Sequence, residues 1–388
     1  MAGDSTDKAF QNFAYLLFLR NILTKSNFSE TKNKPEAYNQ FLFQKLKKIL
    51  NLFQILQFIL ENIHCKPGDR IAILFAYSND LDRNVVKNVW NTADFGFYSH
   101  FLVFANVRFD VRQEEEILFH YSYLNATSSV FSKLPDSSLG FGNNATGSDS
   151  LKTIDVGKFY SNNQVPVCGS IVLILSKRYP NELKILEVSR KVQEHHGIVH
   201  VISSVFPSGG TQSKALYKLT SRTNGICAFQ EDSQFSEVSD FINISSKYYD
   251  GWHLLSHIVG SLPISGTPYP IYSVNPRVSG LGSLVLPSLS VPFSGRFYFV
   301  VTVQDHGPID TFRSINLSWY NAKSRSSNHF LISNGQKYEI NREEWFDLDP
   351  VIYNMTLNYS YLTFQDIQIR VYSSRPPEDW LPCCDSTN

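Results

Sequence analysis

The stretch GSIVLILSKRYPNELKILEVSRKVQEHHGIVHVISS, residues 169–204, decides the fold. It reads as an apolar strand (169–176), a polar tip, an amphipathic helix (182–196) and a second apolar strand (197–204). That order implies parallel pairing with a right-handed crossover. Both strands are continuous apolar runs, as expected where a sheet is covered on its two faces.

Working outward, the same grammar extends in both directions. Upstream, apolar positions from Pro35 to His64 recur at three- and four-residue spacing and predict a buried helix. "CKPGD" breaks it, "RIAILFAY" (70–77) predicts a strand, and "DLDRNVVKNVWNTA" a helix. Runs 99–110 and 116–124, joined through "VRQEE", predict a hairpin. A loop rich in Ser, Gly, Asn and Asp (132–150) and a helix "SLKTIDVGKFY" follow. Downstream, "KALYKLTSRT" predicts a helix and "GICAF" a strand. The expected class is α/β, an open, mostly parallel, doubly wound sheet with one antiparallel edge strand.

After residue 260 the texture changes. Pro263, Pro268, Pro270, Pro276, Pro287 and Pro292 forbid a long helix, and short aromatic-rich segments separated by turn signals then predict an all-β sandwich. Expected boundaries are an N-terminal extension (1–34), an α/β domain with its leading helix (35–258), a β-sandwich-like domain (259–376) and a tail (377–388).

Lysine plus arginine balance aspartate plus glutamate at 35 each, so no global field attracts nucleic acid or an anionic membrane. The most apolar segment, 49–60, is shorter than the ~20 residues a bilayer requires. The five cysteines, Cys65, Cys168, Cys227, Cys383 and Cys384, lack zinc or redox spacing and permit one or two disulfides. Glycosylation sequons stand at Asn27, Asn125, Asn144, Asn243, Asn316, Asn354 and Asn358, which favours an extracellular, secreted glycoprotein, although MAGDSTDK does not open a signal peptide.

Three local segments, "AILFAYSND", "NNATGSDSL" and "IVLILSKRYPNELKILEVSRKVQEHHGIVHVIS", taken with the order of elements, resemble the von Willebrand factor type A domain, in particular its nematode-expanded group. The resemblance covers roughly residues 66–250. It implies a divalent cation above the carboxyl ends of the strands, held by Asp-x-Ser-x-Ser, a threonine and a second aspartate, with a partner carboxylate completing the octahedron.

Carried onto this chain, Ala76 stands where the first aspartate belongs, Ser78 is kept, Asp80 replaces the second serine and Thr146 fits the threonine. Where Thr-Asp-Gly is expected the chain has Ser176, Lys177 and Arg178. A cation replaces a carboxylate, and at an effective dielectric of ~20 two positive charges about 4 Å apart repel by several kcal/mol. The expectation is a degenerate site without metal or other cofactor. Lys177 either fills the vacated space, paired with Asp80, Ser78 and Thr146, or points into solvent.

Other constellations are weaker. His195, His196 and His200 invite a zinc reading, but Gly197 interrupts the helix that would align them. The glycines of "GFGNNATG" and "SGLGS" do not bridge a strand and a helix as a phosphate loop must. No nucleophile elbow occurs. Trp252, Trp319 and Trp345 read as core residues.

The expected function is therefore non-enzymatic recognition or adhesion, binding a protein or glycan through the top-of-sheet loops, with a role in host defence as the family-level guess. Partner-binding candidates are Tyr77, Ser78, Asp80, Thr146, Lys177 and Arg178. The alternative is an α/β enzyme with an active site at the carboxyl ends of the strands.

Overall fold

The computed structural model describes residues 65–68, 71–93, 101–142, 145–154, 158–162, 165–182, 185–236, 269–303, 305, 311–323, 325–333 and 341–382. The expected extension 1–34, the helix of 35–64, the boundary near 260, Trp252, Cys383, Cys384 and the sequons at Asn27, Asn144 and Asn243 lie outside them.

Six strands form one sheet: β1 (Ile71–Ser78), β2 (Phe101–Phe109), β3 (Leu118–His120), β4 (Ile171–Ser176), β5 (Ile198–Ser204) and β6 (Cys227–Gln230). Their order is β3-β2-β1-β4-β5-β6, parallel throughout except for β3, which runs antiparallel on the edge. The apolar runs place β1 and β4 centrally. Alternation along β1 sends Ile73, Phe75 and Tyr77 into one core and Ala72, Leu74 and Ala76 into another on the opposite face.

The first core is closed by α1 (Arg83–Ala93) and α2 (Tyr123–Ser132). Asp82 caps α1, its carboxylate accepting the Asn84 amide at 2.7 Å, and Val85, Val86, Val89 and Trp90 form the buried stripe. On the other face α4 (Leu186–Glu194) and α5 (Lys214–Arg222) contribute Val188, Val192, Ala215, Leu216 and Leu219. Two short α-helices, α3 (Ser150–Ile154) and α6 (Asp232–Ser236), and a 3-10 turn at Ser137–Leu139 complete the described helical set.

The expected strand 116–124 is corrected: only Leu118–His120 is strand, and α2 begins at Tyr123. "YLNATSSVFS" has poor helix propensity. It is held by tertiary contacts, with Tyr123 stacked on Trp90 at 5.6 Å, the Trp90 indole donating to Thr127 Oγ1 at 3.0 Å, and Ala126 and Val130 buried one turn apart. The helices expected over 150–160 and 182–196 are also shorter, as α3 and α4.

The remaining strands are β7 (Tyr269–Val274), β8 (Arg277–Ser290), β9 (Gly295–Thr302), β10 (Phe312–Tyr320), β11 (Ser327–Ser333), β12 (Asn341–Leu348), β13 (Ile352–Asp366) and β14 (Ile369–Ser373). They make two antiparallel sheets, β11-β10-β13-β8 and β12-β9-β14-β7, around a shared aromatic-rich core that includes Trp319, Phe299 and Phe346. Trp345, expected in a core, is instead 39 % exposed beneath the Arg296 guanidinium.

The sheet and the sandwich belong to one compact unit. β9 is buried on both faces: Phe297, Phe299 and Val301 enter the sandwich core, while Tyr298 and Val300 join the core of α1 and α2. Beside it, β14 and the residue just before it present Gln368, Arg370 and Tyr372 to the α5–β6 turn. Gln368 Oε1 accepts the Cys227 amide at 2.9 Å, Arg370 Nε donates to the Gly225 carbonyl at 3.1 Å, and Tyr372 donates to the Asn224 carbonyl at 3.2 Å. The amide of edge strand β6 is thus satisfied from the sandwich.

A Cys65–Cys168 disulfide closes a separation of 103 residues, and the Trp380 indole donates to the Cys65 carbonyl at 3.1 Å. Cys227 is buried and unbridged. Among the described residues no helix is long and apolar enough to cross a membrane.

Candidate functional site

The carboxyl ends of β1, β2, β4 and β5 bring together Asp80, Asp110, Arg178 and Ser208. Asp80 Oδ2 accepts from Arg178 Nε at 2.5 Å and from Ser208 Oγ at 2.5 Å. Arg178 Nη1 donates to the Thr146 carbonyl at 2.8 Å, and the guanidinium lies 5.5 Å from the centre of the Phe141 ring. The Arg178 and Asp80 side chains are only 4 % and 15 % exposed.

Local sequence explains this placement. Ser176 Oγ donates to the Arg178 carbonyl at 2.5 Å, turning the chain after β4 so that Arg178 points across the top of β1. Asn79 pins the facing loop, donating to the Asp136 carbonyl at 2.8 Å and accepting the Asp136 amide at 2.9 Å. Gly140 of that loop sits so close that a Cβ there would be 3.1 Å from Asp80 Oδ1.

Beneath the pair lies a second acidic group. Ser78 Oγ donates to Asp110 Oδ2 at 2.5 Å, while Asp110 and Asp149 exchange amide-to-carboxylate bonds at 2.7 and 3.2 Å. Asp110 is fully buried, with φ +61°, in the left-handed region that aspartate tolerates better than most residues. Burial pushes its carboxyl up to about 8, the Ser78 bond opposes this, and the Asp149 charge adds to it. Burial therefore holds the Asp110 carboxyl well above the usual carboxylate range.

Lys177 takes neither expected position. Its ammonium pairs with Asp232 Oδ2 at 2.6 Å and donates to Ser204 Oγ at 3.0 Å. The cation beside Asp80 is Arg178, whose planar fork reaches a carboxylate and a carbonyl together.

Of the other candidates, Tyr77 and Ser78 are buried, with the Tyr77 hydroxyl donating to the Lys133 carbonyl at 3.0 Å, so both form the floor of the site. Thr146 contributes its carbonyl. Asp110, Asp149, Ser204, Ser208 and Asp232 were not singled out from sequence. Asp110 and Ser204 carried a readable signal, as polar residues at the carboxyl ends of apolar strand runs. The exposed rim carries Leu139 (41 %) and Phe206 (62 %).

These residues do not fit a divalent cation. The Asp80 carboxylate is committed to a guanidinium, and both Asp110 carboxyl oxygens already accept hydrogen bonds, from Ser78 Oγ and the Asp149 amide. The histidines do not converge: His195 stacks on Tyr160 and His196 on Trp380, while His200 is fully buried, where burial, then Arg370, lowers it to about 3.

Comparison with known proteins adds the following. A family model described as "Domain of unknown function (DUF7154)" matches residues 274–374, the sandwich from the end of β7 to just past β14. No curated protein matches the chain. Among solved structures, proximal thread matrix protein 1 from the mussel byssus aligns at 15 % identity with TM-score 0.32, over 45 % of this chain and 47 % of its own, so the chain spans about half the length of that protein. A carbohydrate-binding module from Cellvibrio mixtus lichenase 5A aligns at 10 % identity with TM-score 0.19, over 28 % of this chain and 92 % of the module. A family 35 carbohydrate-binding module from Clostridium thermocellum aligns at 13 % identity with TM-score 0.17, over 28 % and 93 %.

Proposed function

We propose that the α/β unit is a doubly wound, von Willebrand factor type A-like recognition module that works without metal, binding a protein or glycan partner outside the cell. The observation that carries this reading is the Arg178–Asp80 pair, closed by Ser208 and the Thr146 carbonyl. A guanidinium built into the chain takes the place of the ion that a partner carboxylate would otherwise complete.

Contact then falls to the loops around the closed pair, where Leu139 and Phe206 are exposed. Exposed apolar side chains suit recognition, and the titratable groups of the site are buried or half-buried and paired with one another. Ser204, the nearest hydroxyl to a lysine and an aspartate, is fully buried. The disulfide supports an oxidising compartment.

The test is twofold. Calorimetry with Mn²⁺ and Mg²⁺ is expected to show no stoichiometric binding. The immobilised chain, screened against glycans and extracellular proteins, is expected to bind equally with and without EDTA, and Phe206→Asp is expected to weaken that binding at least tenfold. Stoichiometric Mn²⁺ uptake, or binding abolished by EDTA, overturns the reading.

A further inference from the structure

Three sequons of the sandwich fall on one surface. Ile315, Leu317, Trp319, Met355 and Leu357 point into the core, so the alternating Asn316, Asn354 and Asn358 share the outer face of the β11-β10-β13-β8 sheet. Asn354 and Asn358 are exposed. Asn316 differs: it lies in register between Asn358 on one side and Leu331 on the other, and its Oδ1 is buried without a hydrogen-bond partner among the described residues. Directly opposed side chains stand about 5 Å apart, too near for two sugars.

The same surface has an open liability. β8 is the sheet's edge, and from Val278 to Ser290 it has no charged residue. Leu281 is 89 % and Val285 80 % exposed, and both flank Ser283, the register partner of Asn358. A long, uncharged edge strand with exposed aliphatic side chains templates pairing with other chains unless something covers it.

We propose that Asn354 and Asn358 carry N-linked glycans, that Asn316 does not, and that the Asn358 glycan covers the Leu281–Val285 edge of β8. In the transfer, the sugar C1–oxygen bond to a lipid diphosphate donor breaks, C1 bonds to Asn Nδ2, the diphosphate leaves with the electron pair, and Nδ2 gives up a proton. The bulky, hydrated product stands where a pairing strand would dock.

The test uses the full chain produced through a eukaryotic secretory pathway. Enzymatic deglycosylation in ¹⁸O water followed by peptide mass mapping is expected to label Asn354 and Asn358 and leave Asn316 unlabelled; any other pattern at these three positions overturns the assignment. Thr356→Ala with Ser360→Ala removes both sequons while keeping the asparagines. That variant is expected to self-associate by light scattering, and adding Leu281→Lys with Val285→Lys is expected to return it to monomer. A variant as monomeric as the glycosylated parent, or association that the lysines leave unchanged, overturns the covering role.

Discussion

Replacing Arg178 by methionine keeps an unbranched stem and removes the guanidinium. Asp80 is then left 15 % exposed, with Ser208 Oγ as its remaining described donor, and the Thr146 carbonyl loses a charged partner. Stripping one member from a buried ion pair costs about 3–5 kcal/mol. The residual exposure of Asp80 and its Ser208 bond put Arg178→Met at the low end, about 3 kcal/mol. In an Asp80→Asn background no carboxylate is stranded, and the same change should cost about 1 kcal/mol through lost contacts of the stem. The coupling between the two sites is therefore expected to be about 2 kcal/mol. Urea unfolding followed by tryptophan fluorescence reads it, since Trp90 is fully buried with its ring 5.2 Å from Phe75 in the adjoining core. A cost for Arg178→Met within about 0.5 kcal/mol of zero, or a vanishing coupling, would show the pair to be solvent-screened and refute the reasoning.

Two further outcomes follow from neighbouring groups. Asp110 has a raised folded-state pKa, about 8 against an ordinary value near 4, so the folded chain holds a proton that the unfolded chain releases, and this contribution to stability is lost as pH rises between those values. Asp110→Asn stays neutral; its stability advantage over the parent should grow by about 1 kcal/mol per pH unit across that window and be flat outside it, measured by urea midpoints, and a pH-independent difference refutes the protonation. At the sandwich contact, Gln368→Leu strands the Cys227 amide and removes the amide donor that Thr220 Oγ1 and Ser221 Oγ accept, although both hydroxyls keep their bonds to the Tyr217 carbonyl. A loss of about 3 kcal/mol and faster hydrogen exchange at Cys227 are expected, and unchanged exchange would show that Gln368 does not hold the edge of β6.

The sequence by itself determined the two architectures, because periodicity is a local property. Continuous apolar runs in β1, β4 and β5 announce a sheet covered on both faces, and turn-punctuated aromatic segments announce the sandwich. It also named Asp80, Thr146 and Arg178, which meet at the carboxyl ends of the strands. Which cation reaches Asp80 was decided by the turn after β4: Lys177 and Arg178 are adjacent, and the bond from Ser176 Oγ to the Arg178 carbonyl, with those tying Lys177 to Ser208 and Tyr179 to Gly209, fixes which one crosses to β1. The position of Asp110 at the end of β2 was readable, but its raised pKa was not, because that depends on burial contributed by residues far along the chain. In β14, Ile369, Arg370 and Val371 read as an ordinary alternation with a polar outer face, yet Arg370 and Gln368 are fully buried against the α/β unit. A polar residue facing away from one core carries no mark of a second core waiting on its other side. That burial follows from contacts made across about 145 residues of sequence, beyond the reach of any local pattern.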